Sequence, residues 1–208
     1  MFINKPCAAG CGRPAITGQN LCFTHLALPE QEKTRIYEYI KENKTVKDLN
    51  VSGMRFENID FSGHHFYGCN FIDTAFINCN FSEIKTRMSF FDFSEFNECV
   101  FTKSDIQFLS FAGAVFKKCD FSWSDILHVN FEGAAIADTS FNNSNMYNSR
   151  FISADLSNST FLNCNLKRVN YISAKLNGIF FKSSNTDKLK EFFKSSNTAE
   201  AIMEMEER

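Results

Sequence analysis

Every fifth residue from Phe56 to Phe181 is large and apolar, with Thr86 the one exception. The run opens Phe56, Phe61, Phe66, Phe71, Phe76, Phe81, Thr86, Phe91, Phe96, Phe101, Ile106, Phe111 and keeps step through Phe121, Phe141 and Phe161. Helices repeat every 3.6 residues and strands every two, so neither element generates this run. A fixed period sustained over such a length marks a repeat architecture, in which each unit buries its interior only by stacking on the next. Composition agrees, because 25 Phe stand beside one Trp and three Pro. That many identical rings imply a regular interior.

Two residues before each central position the side chain is small, as at Cys69, Thr74, Cys79, Ser89, Ser94, Cys99, Ser104, Ala114, Cys119, Ser124, Ala134, Ser144, Ala154 and Cys164. Between the small and the large residue an Asp or Asn recurs, as at Asp60, Asn70, Asn80, Asp105, Asp120, Asn130, Asn145 and Asn165. The unit small–Asp/Asn–large–polar–any resembles the pentapeptide-repeat family over residues 56–181. The resemblance implies an all-β solenoid, a right-handed four-sided β-helix with one pentapeptide per face. The small and the large residue point inward and the others face solvent. About six coils at the strand spacing give a rod on the order of 30 Å long. Val46 and Val51 keep the frame upstream, so the first coil can begin there. The five cysteines of the repeat, Cys69, Cys79, Cys99, Cys119 and Cys164, read as small buried hydrophobes.

Ahead of the repeat, Cys7-x3-Cys11 and Cys22-x2-His25 place four soft ligands in two close pairs. That spacing suits tetrahedral Zn²⁺. Gly10, Gly12 and Gly18 supply tight turns for wrapping a metal. Cys-Gly-Arg-Pro-Ala followed by Leu-Cys-x-x-His resembles the small zinc knuckles of phage and mobile-element proteins. Four protein ligands leave no open position, which makes the expected metal structural. The alternative, four unliganded surface side chains, has the close spacing against it. From Pro29 to about Asn43 a helix is expected, with Ile36, Tyr37 and Ile40 as an apolar stripe that covers the first coil. Beyond Phe181 the sequence Phe-Phe-Lys-Ser-Ser-Asn-Thr occurs twice and precedes helical stretches, read as a lid on the last coil or a homodimer contact. The expected organisation is thus a knuckle over 1–28, helix and lead-in over 29–50, β-helix over 51–181 and a helical cap over 182–208.

Charge is unhelpful to a nucleic-acid reading. The net −2 divides into +3 over residues 1–55, −4 over 56–181 and −1 over 182–208. No apolar run reaches the length of about 18 residues that a spanning helix needs. Free thiols without an apolar leader point to a reducing compartment, the cytoplasm. No catalytic set is legible: His64 falls on an inward position, His65 and His128 lack a spaced nucleophile, and no glycine loop cradles phosphate. The chain therefore reads as a non-enzymatic scaffold for a protein partner. Two alternatives stand. The resemblance extends to quinolone-resistance proteins that imitate DNA and bind a type II topoisomerase, and the knuckle could contact nucleic acid through Lys5 and Arg13.

If residues twenty apart share a column, outward positions collect Tyr67, Met88, Phe90, Phe93, Phe108, Leu127, His128 and Tyr147. A solvated wall has no reason to display these together, and such patches mark contact sites. The competing expectation is a bulge over residues 84–90, where Thr86 breaks the pattern, turning Met88 or Phe90 inward.

Overall fold

The computed structural model describes residues 5–185. The five-residue frame forms a parallel-strand β-solenoid of about seven turns, consistent with a right-handed β-helix, behind one N-terminal helix. The count is one more than Phe56 suggests, because the first coil starts at Val46. Numbered in chain order from Val46, faces one and three carry three-residue strands. Face one holds β1 (Thr45–Lys47), β3 (His65–Tyr67), β5 (Lys85–Arg87), β7 (Asp105–Gln107) and β9 (Asp125–Leu127), hydrogen-bonded in that order. Face three holds β2 (Arg55–Glu57), β4 (Ala75–Ile77), β6 (Glu95–Asn97), β8 (Val115–Lys117), β10 (Ala135–Ala137), β11 (Asp155–Ser157) and β12 (Lys175–Asn177). Each residue pairs with the one twenty further on, as in Val46↔Phe66, Phe66↔Thr86 and Thr86↔Ile106. Faces two and four are narrower and joined by single bridges, such as Asn70↔Phe90 on face two and Asn80↔Val100 on face four.

Each residue type of the repeat has a physical task. The face-four rings of Phe61, Phe81, Phe101, Phe121, Phe141 and Phe161 stack with centroids 4.8, 4.7, 4.4, 5.0 and 4.8 Å apart. Those separations follow the spacing of about 4.8 Å between paired strands, so the backbone imposes the stacking. The small inward residue is also a staple between coils. Ser124 Oγ donates to the Phe101 carbonyl at 2.7 Å and accepts the Ser104 N–H at 3.0 Å. The Asp or Asn closes an Asx turn, in which Asn80 Oδ1 and Asp120 Oδ1 accept the N–H of Ser82 and Ser122. At the corners, two residues after each central position, φ is positive in every repeat from Asp48 to Ser183. Left-handed backbone suits Gly, Asn and Asp, which occupy many of these corners.

Residues 84–90 keep this register and contain no bulge, so Met88 and Phe90 face outward. Thr86 is buried in the column between Phe66 and Ile106, and its Oγ1 has no hydrogen-bond partner. A buried hydroxyl without a partner costs about 1–3 kcal/mol. Thr86→Val, which keeps the shape and removes the polar atom, is therefore expected to stabilise by about 1 kcal/mol. Thermal unfolding would show this as a rise of roughly 2–4 °C. A variant no more stable than the parent would mean that Oγ1 is satisfied by a buried water.

The open first coil is covered by α1 (Pro29–Glu42), which starts with Pro29 and places Glu30 and Glu32 at its positive end. Ile36 and Ile40 join the rod's core, while Tyr37 is only half-buried. His64 ties helix to coil: Nε2 lies 3.0 Å from the Ile40 carbonyl, and Nδ1 3.1 Å from those of Phe61 and Ser62. The expected C-terminal lid and homodimer contact fall mainly on residues 186–208, outside the described residues. Among the described residues no helix is long and apolar enough to cross a membrane.

Candidate metal knuckle and docking face

The first pair of thiols is folded together by a short hairpin-like loop. Pro6 and Pro14 form an antiparallel bridge, the Cys7 N–H donates to the Arg13 carbonyl at 2.9 Å, and Gly10 and Gly12 take positive φ at the turn. The second pair sits on a 3₁₀ turn, Phe23–His25, that returns His25 beside Cys22. The four donor atoms of Cys7, Cys11, Cys22 and His25 all lie within 4.8 Å of one another. Tetrahedral zinc, with bonds of about 2.3 Å to sulfur and 2.05 Å to nitrogen, requires S···S near 3.8 Å and S···N near 3.5 Å. Here Cys11 Sγ and Cys22 Sγ are 3.6 Å apart, and His25 Nδ1 lies 3.5 Å from Cys7 Sγ and 3.4 Å from Cys22 Sγ. The cluster has the dimensions to hold a tetrahedral metal ion.

Its electrostatics point the same way. The Cys22 backbone N–H, 3.3 Å from Cys7 Sγ, draws the Cys7 thiol down to about 6 and so favours a thiolate. Burial, then the neighbouring Cys11 and Cys7 sulfurs, pushes Cys22 up. Two like-charged sulfurs in one small site resist ionising together unless a cation joins them. Cys7 and Cys22 are buried, whereas Cys11 and His25 are exposed.

The knuckle is bolted to the cap and to the first coil. Ile16 enters the rod's core, and Phe23 and Leu26 pack against it. The Thr17 N–H donates to the Asn50 carbonyl at 3.0 Å, and Asn50 Nδ2 donates to the Ala15 carbonyl at 2.6 Å. Buried Glu32 accepts from Gln19 and Arg35, and Arg35 also donates to the Thr17 carbonyl. Hydrogen bonds from Arg35 hold the Glu32 carboxyl below the usual carboxylate range. Ile16 and this brace carry no periodic signal and were not legible in the sequence.

The outward candidates separate by depth. Met88, Phe93 and Phe108 are 65%, 67% and 56% exposed, and each occupies a left-handed corner. Phe90 lies between Met88 and Phe93 on face two, less exposed than either. Tyr67, Leu127 and Tyr147 are half-buried. His128 stacks on Phe108 with centroids 4.7 Å apart, receives Asn148 Nδ2 at 2.8 Å and meets Tyr147 edge-on, which in turn lies under Arg168. The Phe93 ring lies over the next coil at Gly113, where a Cβ would come within 2.6 Å of it. Glycine there makes room for the ring. Trp123, 65% exposed at a left-handed corner between faces four and one, was missed by reading columns face by face. Scanning the corner position alone would have found it.

Knuckle and apolar patch share face two. A cavity of about 230 Å³ between the knuckle and the first coils of face two is lined by Arg13, Pro14 and Phe23 on one side and Asn70, Ile72 and Asp73 on the other. Asp92 and Phe93 occupy the positions one coil beyond Ile72 and Asp73.

A family model described as a pentapeptide repeat region matches residues 114–190, and one of pentapeptide repeats matches 48–83 and 94–133, together more than half of the sequence. The chain belongs to the pentapeptide-repeat family. No curated protein matches it. It is similar to solved pentapeptide-repeat structures. One is HetL, involved in heterocyst differentiation regulation in the cyanobacterium Nostoc, with 11% identity, 72% of this chain and 79% of that one covered and TM-score 0.33. Another is a trypsin-treated point variant of QnrB1, a plasmid-mediated fluoroquinolone resistance protein, with 20% identity, coverage of 70% and 88% and TM-score 0.40. A third is Rfr23 from the cyanobacterium Cyanothece, with 13% identity, coverage of 74% and 97% and TM-score 0.34. The interval between the two matched spans, 84–93, contains Thr86, Met88, Phe90 and Phe93. Of these, Thr86 at a large position and Phe90 at an Asp/Asn position depart from the repeat pattern, while the coil keeps its register.

Proposed function

We propose that this chain is a non-enzymatic scaffold that binds a protein partner through face two, with the knuckle as a structural zinc module at its edge. The observation that carries this reading is the chemistry of the corners. A bulky side chain in left-handed backbone costs about 1 kcal/mol relative to glycine. Met88, Phe93 and Phe108 accept that cost while remaining exposed, so folding gains little from them. Selection for contact with another protein accounts for such residues. Free thiols throughout, Cys11 among them exposed, favour a reducing compartment such as the cytoplasm.

Two other readings have less support. Imitation of a nucleic acid calls for an unneutralised file of carboxylates, whereas Glu98, Asp105 and Asp155 each face a cation from a neighbouring coil. Nucleic-acid binding by the knuckle calls for a cluster of cations, whereas Lys5 and Arg13 are the only Lys or Arg in residues 1–28. A gyrase supercoiling assay and a salt-dependent DNA shift test these two.

The scaffold reading predicts opposite outcomes for stability and binding. Phe93→Asn and Phe108→Asn place a corner-tolerant residue in left-handed backbone, so each should alter stability by less than about 1 kcal/mol. Capture of the partner, or self-association, should weaken at least tenfold, the size expected of an aromatic anchor on the order of 2 kcal/mol. Clear destabilisation of both variants would show that the chain itself buries these rings, and the docking face would be lost as an idea.

A further inference from the structure

The eight thiols occupy two chemical environments. In the rod, Cys69, Cys79, Cys99, Cys119 and Cys164 are buried, and each sulfur lies within hydrogen-bond reach of a carbonyl 23 residues earlier, from Val46, Phe56, Phe76, Phe96 and Phe141. Burial pushes the Cys69 thiol up to about 12 and Cys164 to about 11. These sulfurs are sealed from solutes. Cys11 alone is exposed, and the Cys22 sulfur stands 3.6 Å from it.

We propose that Cys11 and Cys22 form an oxidation site for small peroxides, and that closing them as a disulfide dismantles the knuckle and uncovers the start of face two. The proposal rests on the reading that the knuckle holds a metal. In the first step the Cys11 sulfur takes one peroxide oxygen. The O–O bond breaks, one water leaves, and Cys11 becomes a sulfenic acid. In the second step Cys22 Sγ attacks that sulfur, the S–O bond breaks and a second water leaves. Starting from two metal-bound thiolates, both sulfur–metal bonds break, the sulfurs give up two electrons in forming the disulfide, and one hydrogen peroxide takes two protons from solvent to become two waters.

Disulfide closure draws the two sulfurs to about 2.05 Å and removes both as donors. Cys7 and His25 remain, and two donors do not make a tetrahedral site. The contacts of Ala15, Ile16 and Thr17 with the first coil depend on the chain between the two ligand pairs, so their geometry loosens together. The wall of the 230 Å³ cavity formed by Pro14 and Phe23 withdraws from Ile72. Ile72 then extends the apolar surface of Phe90 and Phe93. Oxidation thus enlarges the docking face.

The test uses the full chain with its metal. Metal content is measured first, then a twofold excess of hydrogen peroxide is added while a chromogenic chelator follows release. Thiols are alkylated after unfolding and mapped by mass spectrometry. The expected result is release of one metal ion per chain with one Cys11–Cys22 disulfide and five alkylated rod thiols. Cys11→His, which keeps four donors without the exposed sulfur, should slow release at least tenfold. Equal oxidation of rod and knuckle thiols, a disulfide elsewhere, or equally fast release from Cys11→His would overturn the proposal. If Cys11→His binds no metal, the disulfide map of the unsubstituted chain decides. A chain without metal before oxidation would refute the metal reading, and the proposal with it.

Discussion

Replacing Phe111 by alanine is expected to destabilise the rod by roughly 3–5 kcal/mol, the range for a fully buried Phe. Its ring stands at mid-rod on face two, 5.2 Å from Phe91, 5.3 Å from Phe131 and 5.2 Å from Phe116. Coils lean only on their neighbours, so the vacated space cannot be closed by a distant adjustment. The coils above and below are held at strand spacing by their own hydrogen bonds and cannot collapse into it. Lys117, six residues on, points outward from β8 and should tolerate alanine within about 0.5 kcal/mol. Chemical denaturation of the two variants measures the difference directly. Equal costs would mean that the assignment of inward and outward positions is wrong.

The contrast between these two residues is also why the rod could be read from sequence. A five-residue period assigns every position to inside, outside or corner without first deciding what is helix or strand. Val46 and Val51 carry the same period, and the coil does begin there. The difference between strand-bearing and narrow faces was less legible, because the same pentapeptide pattern runs through both. One trace of it exists: the face-four column is Phe from Phe61 to Phe181 without exception, whereas face one admits Val46, Thr86, Ile106, Ile126 and Met146. The trace is confined to face one, since strand-bearing face three also stacks Phe56, Phe76, Phe96 and Phe116.

Side chains outside the period were harder to foresee. Spacing alone singled out Cys7, Cys11, Cys22 and His25, and the fold brings their donor atoms within 4.8 Å of one another. Spacing said nothing of Glu32, Arg35 and Gln19, whose brace appears only when helix and knuckle meet. The apolar patch was legible as an anomaly, because Met88, Phe93 and Phe108 put large apolar side chains together at outward positions. Its energetic meaning required φ, since the corner's left-handed backbone makes those bulky residues costly.

If the knuckle holds zinc as proposed, removing that metal should produce the other large effect, and it should be local. Structural zinc contributes about 10–16 kcal/mol of apparent binding energy to small knuckle-like peptides at neutral pH. In this chain the rod has a core of its own, so only the part that depends on the knuckle should respond. The purified protein is expected to carry about one zinc per chain, and Cys22→Ala should reduce this to near zero. Cys22 is the most informative ligand, because it is buried, lies close to both Cys11 and His25, and donates its N–H to Cys7. In hydrogen exchange, the amides of Cys7, Ala15, Ile16 and Thr17 should lose protection more than tenfold, since their partners lie in the knuckle or at its seat on Asn50. Amides such as Phe101 and Phe121, bonded from coil to coil in mid-rod, should exchange as before. Substoichiometric zinc unaffected by Cys22→Ala would remove the metal from the account of this fold. Loss of protection along the whole rod would instead make the knuckle a condition for folding every coil, with the solenoid no longer stable by itself.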